Sequence, residues 1–111
     1  MNVTTKTMIR VTAYLLNADP DMTVSRLNVF LHIASSKDGD VLVRDLCKKT
    51  GLGQSTVART LAILSDKPMR GKKDGLGWVR TDPDPEDPRR VLVNLTSVGV
   101  KVVADLEALG D

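Results

Sequence analysis

Side chains that carry covalent or metal chemistry are scarce in this chain of 111 residues: there is one cysteine, Cys47, and one histidine, His32. A single cysteine closes no intrachain disulfide and suits a reducing compartment. No Cys, Asp or Glu stands at ligand spacing around His32, so a surface or semi-buried imidazole is expected there rather than a metal ligand. Aromatic residues make up 3% of the chain, as Tyr14, Phe30 and Trp78. That is too few to wall a pocket for a phenolic compound, and a small-molecule effector is not expected. No apolar run approaches the roughly 20 residues that cross a bilayer, and no signal-peptide profile opens the chain. The expectation is a cytoplasmic protein without membrane contact. There is also no glycine-rich phosphate loop and no carboxylate pair in a recognisable pocket, which speaks against an enzyme. The acidic stretch 82–87 is interrupted by prolines and lacks a terminal Glu at EF-hand spacing, so neither calcium nor another cofactor is expected.

What is present is an ordinary globular composition, 41% apolar and 27% charged, at a length that builds one core. The net charge of +2 is unevenly divided. Residues 44–80 hold nine Lys or Arg against three acids, a balance of +6, and the rest of the chain has a balance of −4. A basic footprint of this kind favours an anionic partner.

Inside it lies the stretch 43–65, VRDLCKKTGLGQSTVARTLAILS, which reads as a helix-turn-helix. A short helix from Val43 to Lys49 turns Leu46 and Cys47 inward and Arg44, Asp45, Lys48 and Lys49 outward. Gly51 suits the left-handed conformation that ends a helix, and Leu52 plugs the space between the two helices. From Gln54 a second helix buries Val57, Leu61 and Leu64 at i, i+4, i+7. It leaves Gln54, Ser55, Thr56, Ala58, Arg59 and Ala62 outside, with no carboxylate before Asp66. An ordinary solvated helix face carries Glu and Lys pairs instead. A surface of small and hydrogen-bonding residues suits a helix in the DNA major groove. Gln and Arg there read base edges, and the N-terminal amides attract phosphate.

The flanking segments complete a mainly α chain with a small β-wing. Thr4 or Thr5 caps a helix over 6–17 with a broad apolar surface of Met8, Ile9, Ala13, Leu15 and Leu16, and Pro20 forbids its continuation. Thr23 caps a second helix reaching Ser35, with Val24, Leu27, Phe30/Leu31 and Ala34 as its stripe. Val41-Leu42 forms a very short strand, and Leu42 stands where Ser or Thr would cap the next helix better. Residues 65–77, with Pro, Gly and four basic residues, form an exposed connection. Strands over 78–81 and 91–95, the latter alternating at Val91, Val93 and Leu95, enclose a proline-stiffened tip ending in Arg89-Arg90. Arginine there could enter a minor groove, and the acids at 82, 84, 86 and 87 either orient it or face away. Thr96 caps a last helix over 97–109. Val98, Val102, Leu106 and Leu109 lie on one side of it, and Val100, Val103 and Ala104 on a second. Helices 6–17 and 97–109 thus both carry surplus apolar surface, which packing into a homodimer would cover.

The order helix, helix, strand, helix-turn-helix, wing, helix resembles the winged-helix regulators of the multiple-antibiotic-resistance (MarR) family. The likeness covers about residues 23–104. Residues 84–96, DPEDPRRVLVNLT, are similar to that family's wing, D-P-x-D-x-R followed by a short strand and L-T. Asp87 and Arg89 match its Asp-x-Arg pair, in which the aspartate positions the arginine that enters the minor groove. Asp45-Leu46-Cys47 and Gln54-Ser55-Thr56-Val57 resemble its supporting and recognition helices. Members generally have longer terminal helices that build the dimer and line a ligand pocket. One branch uses a cysteine as a peroxide switch; Cys47, mid-helix and inward with no second cysteine, is expected to be a buried small residue.

These readings converge on a sequence-specific double-stranded DNA-binding transcriptional regulator, a repressor acting as a homodimer on a pseudo-palindrome. Base contacts are expected from Gln54 and Arg59, nearby base or phosphate contacts from Ser55, Thr56 and Ala58, and wing contacts from Asp87, Arg89 and Arg90. Arg44, Lys48, Lys49, Lys72 and Lys73 are expected on the backbone. A protein-interaction module on the same scaffold, or a DNA-binding factor of replication or phage excision, are the alternatives.

Overall fold

The computed structural model describes residues 4–36, 41–65 and 75–110. Along it run α1 (Thr5–Ala18), α2 (Val24–Ala34), β1 (Val41–Leu42), α3 (Val43–Thr50), α4 (Gln54–Leu64), β2 (Val79–Pro83), β3 (Val91–Leu95) and α5 (Ser97–Ala108). Threonine hydroxyls start three of the helices: Thr4 accepts from the Thr7 amide, Thr23 from Arg26 and Thr96 from Gly99, each at 3.1 Å. Between α1 and α2, the buried Asp19 carboxylate accepts the Asp21 amide and pairs with the Arg26 guanidinium.

The three strands form one antiparallel sheet in the order β1-β3-β2. Val41 and Leu42 pair with Val93 and Leu92, and β2 pairs with β3 over its full length. Leu42, the residue capping α3, makes no side-chain cap bond. The sheet supplies the reason for an apolar residue there, since β1 runs straight into α3 and strand pairing holds the chain at the point a side-chain cap would otherwise secure. At the other end of α3, Gly51 adopts φ +73°, and its amide donates to the Cys47 carbonyl.

One core joins these parts. Leu15, Phe30, Ile33, Leu46, Val57, Leu64, Val79 and Val93 are buried, and the rings of Phe30 and Trp78 lie 5.0 Å apart at 59°. The base of the wing is tied to its surroundings by backbone bonds on two sides. Leu76 and Trp78 donate to the Ile63 and Leu64 carbonyls, so the returning chain satisfies the free end of α4. On the other side the Thr96 amide donates to the Trp78 carbonyl and its hydroxyl to Gly77, 2.5 Å away. Gly99 packs so closely here that a Cβ would sit 2.0 Å from the Trp78 carbonyl oxygen.

Several expected stripes are rotated. On α2, Val24 is 85% exposed and Leu31 exposed, while Val29, Phe30 and Ile33 are buried. Val24 stands in the first turn, beyond the core. The helix is also wedged against α3, α4 and β3 together, which buries a different arc from the one periodicity suggested. On α5, Val98 is exposed and Gly99 and Val102 are buried, because the helix docks by its glycine against the Trp78 backbone. In β3 only Val93 is fully buried, and Val91 extends past the body with the wing. The connection expected over 65–77 lies mostly outside the described residues.

The Gly99 contact yields a direct test. Gly99→Ala drives a methyl group into a backbone carbonyl that has nowhere to retreat, and unfolding stability should fall by about 1–3 kcal/mol. Urea denaturation followed by circular dichroism measures it, with Ala104→Gly, on the exposed side of α5, as a comparison limited to helix propensity.

Candidate nucleic-acid interface

The second helix of the helix-turn-helix presents what its sequence promised. Val57, Thr60, Leu61 and Leu64 anchor α4 in the core. Gln54, Ser55, Ala58 and Arg59 are exposed at i, i+1, i+4 and i+5, and Thr56 and Ala62 are half-buried at the edge. The Thr60 hydroxyl is spent on the Thr56 carbonyl at 2.8 Å. Gly53 caps α4 without a side chain, and no acid stands in the first turn. The leading amides therefore face outward uncapped, at the positive end of the helix dipole. Arg59 makes no ion pair or hydrogen bond among the described residues. Its five donors are available.

At the tip of the wing the acids divide by role. Asp84 accepts the Glu86 amide and closes the turn. Asp87 holds both arginines. Its carboxylate accepts the Arg89 amide at 3.2 Å, Arg89 Nε at 3.1 Å and Nη2 at 3.3 Å, and Arg90 Nε at 3.3 Å. These bonds, led by the Arg89 side chain, hold the Asp87 carboxyl below the usual carboxylate range. The two captured arginines differ in setting. The Arg89 side chain is 91% exposed at the tip, whereas Arg90, at 40%, lies closer to the body of the wing. Of the two roles open to the acids, orienting arginine falls to Asp87. Asp82 faces Arg80 at 3.7 Å instead.

α3 meets the wing in a cleft of about 360 Å³ lined by Leu42, Val43, Arg44, Cys47, Gln54, Arg89, Arg90 and Val91. The fold thus brings together the first turn of α4, the supporting helix and the wing arginines, which are distant in sequence. Lys48 and Lys49 are exposed on α3. Lys72 and Lys73 lie outside the described residues. Cys47 departs from the expectation of a buried small residue: it is half-buried and edges the cleft. Helical periodicity put it inward, and only the position of the wing opens space beside it. Among the described residues no group of His, Cys, Asp and Glu is placed to hold a metal ion.

A second concavity, of about 540 Å³, opens among α1, α2 and α5, with Met8, Val11, Leu27, Leu31, Val103 and Leu106 on its walls. Beside it Met8, Ile9 and Leu16 stand 50–61% exposed along α1. Tyr14 donates to the Asp105 carboxylate at 2.8 Å and joins α1 to α5.

No protein-family model and no curated protein matches the chain. Solved structures do. The S. aureus MepR–DNA complex superposes at a TM-score of 0.70 with 22% identity, over 92% of this chain and 74% of that one. The PcaV transcriptional regulator from Streptomyces coelicolor gives 0.63 and 24%, over 91% and 70%. A point mutant of MarR from E. coli, complexed with operator DNA, gives 0.64 and 27%, over 92% and 69%. No helix among the described residues is long and apolar enough to cross a membrane. With its helix-turn-helix, three-stranded sheet and arginine-tipped hairpin, the chain has the MarR-like winged-helix fold.

Proposed function

We propose that this chain is a sequence-specific double-stranded DNA-binding transcriptional regulator that acts as a dimer on a pseudo-palindromic site. The observation that carries the proposal is the exposed, carboxylate-free face of α4 standing beside a wing that holds the Arg89 side chain almost fully exposed. The small side chains of Ser55 and Ala58 let the helix approach the floor of the major groove, where Arg59 offers paired donors and Gln54 a donor and an acceptor to base edges. The wing reaches the neighbouring minor groove, whose negative potential attracts Arg89. Asp87 holds that guanidinium in place beforehand, so less conformational entropy is lost on binding. Lys48 and Lys49 add attraction for phosphates without selecting sequence. That two structural neighbours were solved with DNA supports the same reading.

The exposed apolar side chains of α1, with Val100 on α5, support self-association. A two-fold dimer sets two α4 helices about 34–36 Å apart, the spacing of successive major grooves. A protein seated across that length of promoter excludes other factors, which makes repression the expected outcome.

Three outcomes follow. Arg59→Ala should cost about 1–3 kcal/mol on the selected site and relax base preference at one position, measured by fluorescence anisotropy against a panel of single-base variants. An equal loss on selected and random duplexes would take Arg59 out of the base-reading set. Asp87→Asn should weaken binding by about three- to tenfold at neutral pH by freeing Arg89. Because the folded Asp87 carboxyl is lowered, the bracket is intact above the ordinary carboxylate pKa of about 3.9 and is lost only as pH falls through the lower folded value. Affinity titrated downward from neutrality should thus show no wing-dependent change before that range is reached. Ile9→Glu, finally, should turn a dimer into a monomer in analytical ultracentrifugation; an unchanged sedimentation coefficient would exclude α1 from the interface.

A further inference from the structure

The arginines of the described chain differ in what they have left to give. Arg26 is half-buried against Asp19, Arg80 faces Asp82, and Arg89 and Arg90 share Asp87. Arg44 is exposed and, among the described residues, makes no ion pair or hydrogen bond. It lines the cleft of about 360 Å³ together with Gln54, Arg89 and Arg90, and no carboxylate is among the lining residues. One Asp87 carboxylate offsets only part of the charge of Arg89 and Arg90, and Arg44 has no counter-charge among the described residues, so the cleft keeps a net positive charge. Guanidiniums with free donors bind phosphate oxygens in bidentate fashion. The place of the cleft in the fold says which anion. It lies between the first turn of α4 and the wing, which enter adjacent grooves if the chain binds DNA as proposed above. The sugar–phosphate backbone that separates those two grooves must pass between them.

Resting on that reading, we propose that the cleft seats one backbone phosphodiester, gripped by Arg44 from the supporting helix and Arg90 from the wing, with the Gln54 amide completing the cradle. This assigns Arg90 a different task from Arg89: the deeper arginine positions the duplex, and the tip arginine alone enters the minor groove. It also moves Gln54 from the base edges to the backbone. One phosphate then bridges helix and wing, fixing the register in which Arg59 meets the bases.

The test is a scan of the selected duplex with neutral methylphosphonate placed at one phosphate at a time, for the full-length protein and for Arg44→Gln and Arg90→Gln. One position should exist where the neutral linkage weakens wild-type binding about tenfold and leaves both variants unaffected. Each variant should lower the slope of log affinity against log salt by about 0.9 and keep the base preferences of the wild type. The two substitutions together should cost no more than about either alone, since they share one partner. Thermal unfolding of the variants checks that these exposed or half-exposed sites leave the fold intact. If the wild type binds no duplex, the DNA-binding reading falls and this assignment with it. Should it bind while no methylphosphonate position distinguishes the variants, the cleft assignment alone is overturned. Displacement of DNA by inorganic pyrophosphate at constant ionic strength, abolished by Arg44→Gln without any such position, would make the cleft a free-anion site and overturn it too.

Discussion

The distance between α4 and the wing tip is set by the backbone pairing of β3, which is bonded on both edges. One edge carries β2 and closes the wing; the other carries β1, two residues that pass directly into α3. Because no loop separates β1 from α3, any tilt of the hairpin must carry the helix-turn-helix with it or break strand hydrogen bonds. The ladder at Val41 and Leu42 is short, but it is the place where two parts of a surface are made into one.

Everything else at the wing base reinforces that restraint. Trp78 presses its ring on Phe30 of α2 and gives its amide to α4 and its carbonyl to Thr96. Three helices thus converge on one residue, with Gly99 allowing α5 close enough to join the other two. The core is consequently placed beneath the proposed reading surface. Outward side chains on α4 are left free of structural duties, as the unpaired Arg59 illustrates, whereas Arg26, Arg80, Arg89 and Arg90 are held by carboxylates.

Carboxylate placement is the second organising principle. α4 has none on its exposed face, and the cleft has none on its walls, although the wing is densely acidic. Asp84 is spent on the turn and Asp87 on two arginines, so the Arg89 guanidinium is held exposed at the tip, with Glu86 exposed beside it. Net charge alone, at +2, conveys nothing of this arrangement.

Much of this was legible in the order of residues, because short-range rules governed it. Threonine caps, the left-handed glycine at 51, proline-bounded turns and the i, i+4, i+7 stripe of α4 depend on neighbours within a few positions, and they placed the helix-turn-helix and wing within a residue or two. The Asp87–Arg89 pair was implied by the resemblance of 84–96 to the MarR-family wing rather than by these rules, although its partners are only two residues apart. Tertiary packing decided the rest. Which arc of α2 is buried depends on three elements packing on it at once, so Val29 and Ile33 displaced Val24 and Leu31. The exposure of Val98 follows from Gly99 docking on a backbone carbonyl twenty-one residues earlier in sequence. The cleft that gathers Arg44, Gln54 and Arg90, and brings Cys47 to its edge, exists only because β3 sits between β1 and β2. Long-range strand pairing is a property that local periodicity cannot express.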